Sequence, residues 1–328
     1  SVARPRGLRL LDQPRGPTSH AGVARARRAL GTREVGHGGT LDPMATGLLV
    51  VLVGVATRLE PYVSVGDKTY EATVRVGVGT DTLDADGVAV AASPPPPDAE
   101  ARLAAALDAE RARDAQVPPS VSAIHVDGRR AHERVRAGEA VVLSPRAIAV
   151  RGIRLGEITR GDAWLDVSLT VTASKGYYVR ALARDLGARL GAPAHLTRLR
   201  RLASGPLRVE DAVALDRLDP ARLLPLTAAV AALMPTRALT EEGALRARQG
   251  KILTDADFVD PPADGVTAWL LSGEIVAVGL REGDSHRVAR GFPWVSTRAP
   301  SAAAAELELL DRSELPADAR EPSTRSQA

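Results

Sequence analysis

The chain contains no cysteine, which excludes disulfides, thiolate metal sites and thiol nucleophiles. Lysine is almost missing as well: Lys68, Lys175 and Lys251 are the only three, and arginine carries the remaining fixed positive charge. No run of 18 apolar residues occurs, so no transmembrane helix is indicated. The opening Ser1-Val2-Ala3-Arg4-Pro5-Arg6 lacks the apolar core of a signal peptide. These absences set the expectation of a cytoplasmic protein with no membrane partner.

What is present is ordinary in bulk. Of 328 residues, 45% are apolar, which suits a globular protein with a substantial core and two domains. The net charge is +3 and the pI about 9.6. That balance permits a nucleic-acid partner without requiring one. Base-composition bias explains the arginine content equally well.

One stretch stands apart, Gly36-His37-Gly38-Gly39-Thr40-Leu41-Asp42-Pro43-Met44-Ala45-Thr46-Gly47. Five of its twelve residues are Gly or Pro, so it reads as a shaped loop. Asp42 is its only carboxylate. Pro43 restricts the backbone there and biases Asp42 toward an extended conformation. The apolar run Leu48–Val53 follows and anchors the loop in a core. Taken as residues alone, Asp before Pro in such a turn is most often a turn residue bonding its own backbone. Phosphate binding by glycine amides is another reading. The stretch is neither a P-loop nor Gly-x-Gly-x-x-Gly.

Elsewhere the pattern predicts a strand at 8–12 and a helix from Thr18 or Ser19 to Leu30, ended by Gly31. Strict alternation predicts a half-buried strand from Tyr70 to Val76, with Tyr70 on the apolar face. Residues 81–87 tempt a calcium reading, but the EF-hand register puts Ser93 where a bidentate Glu belongs, so the segment is a turn. Leu103–Arg113 reads as a surface helix, and 116–138 as a basic segment. Strands are predicted near 146–155 and 163–173. A helix over about 177–190 turns Val179, Leu182, Leu186 and Leu190 inward. Ser174-Lys175-Gly176 precedes it, a favourable place for an anion. Beyond Met234, a helix near 240–248 and short alternating pieces at 266–271, 275–280, 286–289 and 294–296 suggest a small β domain.

The order of residues in the glycine-rich loop adds a more specific reading. Gly-His-x-Gly-Thr-Leu-Asp-Pro-x-Ala-Thr-Gly closely resembles the catalytic motif of the TruB-type tRNA pseudouridine synthases. Further blocks resemble that family in the right order. They are Pro14–Ser19, Lys68-Thr69-Tyr70, Thr80–Gly87, Gln116–Pro119, Ser174–Arg180 and His195–Leu202. The resemblance spans about residues 8 to 300. Gln13 and His125 stand where lysines are usual, and Val121 where an aromatic is usual.

The resemblance implies an α/β (α+β) pseudouridine synthase fold with a mixed, largely antiparallel central sheet, followed by a small PUA-like C-terminal β-barrel. It implies a catalytic domain over 1–232 and an RNA-binding domain over 233–300. Residues 301–328 are expected to be a disordered tail. The implied activity is isomerisation of the T-loop uridine of tRNA, position 55, after flipping it from the stack. Asp42 is the implied nucleophile, Arg180 its partner, and Tyr70 the ring that stacks on the base. Tyr178 and Leu199 would line the uracil pocket. His37, Lys175, Gly38 and Thr40 are further implied substrate contacts. Arginines 25, 28, 129, 130, 134 and 200 are candidate phosphate contacts. No cofactor, metal, obligatory protein partner or oligomer is implied; the partner is the T-arm stem-loop of tRNA. The alternatives are an RNA-guided synthase of the archaeal and eukaryal type, a non-catalytic tRNA-binding or folding protein, and, more remotely, a glycosidase-like hydrolase.

Overall fold

The computed structural model of the chain describes residues 5–120, 125–126, 129–130, 143–217 and 223–293. In chain order, β1 (Gly7–Gln13) leads to α1 (Ser19–Leu30), β2 (Val35–His37) and β3 (Thr46–Val53). Next come α2 (Glu60–Val65), β4 (Lys68–Val76), β5 (Val78–Thr80), β6 (Ala89–Ala92) and α3 (Ala99–Arg111). The short strands β7 (Ala115–Gln116), β8 (His125–Val126), β9 (Arg129–Arg130) and β10 (Arg146–Ala147) follow. They precede β11 (Val150–Arg160), β12 (Leu165–Ala173) and α4 (Val179–Leu190). After these come β13 (Ala194–Ser204), β14 (Leu207–Arg208), β15 (Val213–Ala214) and α5 (Leu226–Leu233). The C-terminal part holds β16 (Thr236–Ala238), α6 (Glu241–Arg248), β17 (Gly265–Leu271), β18 (Glu274–Glu282) and β19 (Ser285–Gly291).

The large sheet runs β11-β12-β4-β13-β3-β1-β15, with β14 beside β13 and β2 beside β3. Only β13–β3 and β1–β15 are parallel in it, so the sheet is mixed and largely antiparallel, as the resemblance implies. β3 explains why its sequence does not alternate. Leu49, Val51 and Val53 enter one core with α1, α3 and α4, while Leu48, Val50 and Leu52 enter a second with α2 and α5. A strand covered on both faces is apolar throughout. Each such buried Leu or Val contributes about 1.5–3 kcal/mol. β4 has only one apolar face, Ala72, Val74 and Val76, and there the alternation survives.

Helix α1 is capped by Thr18, whose hydroxyl accepts from the Ala21 amide, and ends at Gly31 with φ 62°. This releases Ser19 from capping. Its buried hydroxyl accepts instead from the Leu41 amide at 2.9 Å, tying the helix to the glycine-rich loop.

The C-terminal strands form an open sheet in the order β16-β17-β18-β19. The expected closed β-barrel is not found: among the described residues β16 and β19 are the edges of the four-strand path, and the segment beside them joins it through isolated bridges, Leu253 with His286 of β19 and Leu239 with Phe258, rather than through a further strand. The anticipated piece at 294–296 and the tail lie outside the described residues. Apolar packing crosses the expected boundary near residue 232, because Leu226, Ala229 and Val230 share a core with Ala268, Ile275 and Val278. Described residues up to Phe292 form one compact unit. No helix among the described residues is long and apolar enough to cross a membrane.

Candidate active site

The loop between β2 and β3 is held by its glycines and by its neighbours. A Cβ on Gly38 would meet the Val63 side chain at 2.2 Å, so only glycine lets the loop lie against α2. Gly47, at φ 100°, lies so close to β13 that a Cβ would meet the Arg201 carbonyl at 2.3 Å. Between them the Asp42 carbonyl accepts from the Ala45 amide at 2.9 Å, closing a turn. The Asp42 side chain is left 33% exposed. The acid is thus fixed at its backbone and open at its carboxylate.

Arg180 comes to it from the first turn of α4. That helix starts where it does because Gln116 holds Tyr178 at both backbone groups: the Tyr178 amide donates to Gln116 Oε1 at 2.8 Å, and Gln116 Nε2 donates to the Tyr178 carbonyl at 3.1 Å. Tyr177 is anchored too, its hydroxyl donating to Glu110 of α3 at 2.9 Å. Glu110 is fully buried and is paired with Arg113 and Arg189. Burial, reinforced by this carboxylate, pushes the Tyr177 phenol well above its ordinary range.

So placed, Arg180 donates from Nε to Asp42 Oδ2 at 2.9 Å and from Nη2 to Oδ1 at 3.2 Å. Its Nη1 donates to the Thr82 carbonyl at 3.2 Å. The guanidinium is nearly buried, and a two-bond fork of this kind fixes a carboxylate in orientation as well as in charge. A second acid lies near: Asp84 Oδ2 is 4.0 Å from Arg180 Nε. Asp84 Oδ1 accepts from the Thr82 hydroxyl and the Asp86 amide. Asp84 belongs to the turn at 81–87, whose backbone takes a positive φ at Leu83. Its role was hidden in the sequence, because three aspartates in a turn look alike until one of them turns inward.

The other expected site residues divide. Tyr70 is half-buried and packs against the same core as Leu41 and Met44. Leu199 is buried in that core and pairs with Ala72, two residues along β4 from Tyr70. Tyr178 is close enough to Asp42 and Arg180 to feel both charges, though burial is the main cause that raises its phenol pKa. Gly38 and Thr40 lie in the loop itself. His37 lies across the loop, edge-on to His20 with ring centroids 5.8 Å apart. Burial first, then the charges of His20 and Arg201, lower its pKa. A cavity of about 390 Å3 opens on that side, lined by His20, Arg27, Thr57 and Glu60 among others; Asp42, Tyr70 and Arg180 do not line it. Lys175 is exposed ahead of α4, and among the described residues it makes no ion pair with Asp42. Of the arginines considered for phosphate, Arg25 and Arg28 are exposed on α1. Arg200 is held by Asp12 through two bonds of 2.9 and 2.8 Å. The side chains of Arg129 and Arg130, and all of Arg134, lie outside the described residues.

The mixed sheet, the glycine-rich loop and the paired Asp42 and Arg180 make up the candidate site, and comparison with known proteins identifies the family of the chain. Residues 27–179 match the TruB family pseudouridylate synthase N-terminal domain, and residues 180–233 match the tRNA pseudouridylate synthase B C-terminal domain. A protein of Leifsonia xyli subsp. xyli named tRNA pseudouridine synthase B is 44% identical over 88% of this chain and 96% of its own. One of the same name from Thermobifida fusca is 46% identical over 86% and 97%. The chain belongs to the TruB family of pseudouridylate synthases. A solved Cbf5–Nop10–Gar1 complex contains a chain of the same fold, with a TM-score of 0.65 at 24% identity, over 88% of this chain and 85% of that one.

Proposed function

We propose that this enzyme converts the T-loop uridine of tRNA to pseudouridine, with Asp42 as the nucleophile. The observation that carries the reading is the two-bond contact of Arg180 with Asp42, at 2.9 and 3.2 Å, on a loop whose acid stays partly open to solvent. The reaction breaks the C1′–N1 bond of one uridine and joins C1′ to C5 of the same base; the proton on C5 leaves, and N1 takes up one from solvent. It needs an ionised carboxylate and a site that retains the detached uracil. Arg180 aims the Asp42 carboxylate through its two-bond fork. Tyr70 stacks on the flipped base, and Leu199 and Tyr178 close the pocket around it. His37, Gly38, Thr40 and Lys175 contact the nucleotide or its neighbours. The family membership and the names of the relatives support tRNA as the substrate. In this reading the catalytic part covers 1–232 and residues 233–300 act as a PUA-like RNA-contact module. The enzyme works as a cytoplasmic monomer without a protein partner.

The test is direct. Purified chain is incubated with an unmodified T-arm transcript, which is then digested to nucleosides and analysed for pseudouridine. Conversion at the T-loop uridine is expected; unchanged uridine, under conditions in which a reference synthase modifies it, would overturn the reading. A second reading is favoured by the fold shared with Cbf5, a protein solved in complexes with Nop10. Under it, modification would appear only when a guide RNA and such partners are added.

A further inference from the structure

Arg201 is 1% exposed, which makes it one of the largest fully buried side chains in the molecule. No carboxylate pairs with it among the described residues. Its three donors go to backbone carbonyls instead: Nε to Leu48 at 2.8 Å, Nη1 to Thr40 at 3.2 Å and Nη2 to Gly39 at 3.0 Å. A buried cation satisfied only by carbonyls is costly to keep. A core built for stability alone is better served by an apolar side chain at such a place. The acceptors point to another role. Gly39 and Thr40 lie just before Asp42, and Leu48 lies just after the loop ends.

The backbone of the same residue touches the loop as well. Arg201 pairs with Gly47 in the parallel β13–β3 ladder. One residue therefore grips the loop at both ends, through its main chain at Gly47 and its side chain at Gly39 and Thr40. On its other side it is the register partner of Tyr70 in β4. A planar fork reaching three carbonyls fixes direction as well as distance, which a lysine cannot do.

We infer that Arg201 is a positioning residue that sets the loop so that Asp42 meets Arg180 and the reacting base. It touches neither the substrate nor the acid, and acts through the carbonyls of residues 39, 40 and 48. This rests on the proposed function for its catalytic consequence, but the positioning itself is a property of the free protein.

The experiment uses the full chain with Arg201→Ala and Arg201→Lys. Single-turnover pseudouridine formation and T-arm RNA affinity are measured separately, with and without methylguanidinium. A misplacement of the acid by about 1 Å is expected to slow the chemical step of Arg201→Ala about 100-fold, with RNA affinity unchanged. Methylguanidinium, entering the space vacated, restores much of the rate; methylammonium does not. Rate and affinity falling together without rescue, or an unchanged rate, would overturn the inference. Should Arg201→Ala fail to fold, Arg201→Lys decides: a slowed step with an unchanged melting temperature supports it, and full activity contradicts it. Hydrogen exchange over residues 38–47 separates this inference from the functional reading. Even if the wild type modifies no RNA, the amides of that loop should exchange about tenfold faster in the variants while the rest of β3 stays protected. Unaltered exchange would remove Arg201 from this role.

Discussion

Arg180 and Asp42 are 138 residues apart in sequence and share two hydrogen bonds, of 2.9 and 3.2 Å. The arginine also reaches the Thr82 carbonyl and lies 4.0 Å from Asp84. It is thus shared between two acids, one partly open to solvent and one buried. The first is open to solvent at its carboxylate, and the second lies at the limit of ion-pair distance from the guanidinium.

Arg180→Lys keeps the charge but loses the fork, so it is not a conservative change here. The single-turnover rate is expected to fall about 100-fold or more, as when one preorganised donor is lost, with RNA affinity little changed. Asp84→Asn should slow the reaction less, because the Thr82 and Asp86 donors still have an oxygen to meet. Rapid-quench kinetics on T-arm RNA checks both.

Lys68 supplies a pH signature. Its ammonium is buried at the start of β4 and donates to the Ser64 and Gly66 carbonyls at 2.5 Å each. Burial, helped by the charges of Arg201 and Lys175, lowers its pKa from 10.5 to about 8. Between those values the unfolded chain binds more protons than the folded one, so stability rises with pH there, by at most about 1.4 kcal/mol per unit. The contribution is lost as the pH falls through about 8. Denaturant unfolding from neutral to alkaline pH should show this rise in the wild type, and Lys68→Met should flatten it.

Tyr177→Phe removes one donor from the buried Glu110 but leaves Arg113 and Arg189 in place. A loss of about 1–2 kcal/mol in unfolding free energy is expected. Because the contact ties α3 to the start of α4, the catalytic rate should fall slightly too. Urea titration combined with turnover measurement tests this.

Local chemistry in the sequence foretold local structure well. The caps of α1, the alternation of β4 and the inward residues of α4 all follow from spacing and punctuation. Relations across long separations were not legible. Arg200 looks like a free cation in its strand, yet Asp12, distant in sequence, occupies it. The helix expected at 103–113 reads as a surface helix because its charges look solvated, yet Glu110 is fully buried against α4. The C-terminal strands were visible as strands, but period-2 patterning says nothing about whether a sheet closes. In the candidate site, Asp42, Tyr70 and Arg180 came from the order of motif residues. Asp84 and Arg201 fall inside the resembling blocks Thr80–Gly87 and His195–Leu202, but nothing in the sequence singles them out, since neither a buried acid in an acidic turn nor an arginine bonded to carbonyls has a pattern of its own.

The most direct measurement is tritium release from T-arm RNA carrying uridine labelled at C5, compared between the wild type and Asp42→Asn. The account predicts release by the wild type and none by the variant, which still binds the RNA with wild-type affinity. Release by Asp42→Asn at the wild-type rate would contradict it.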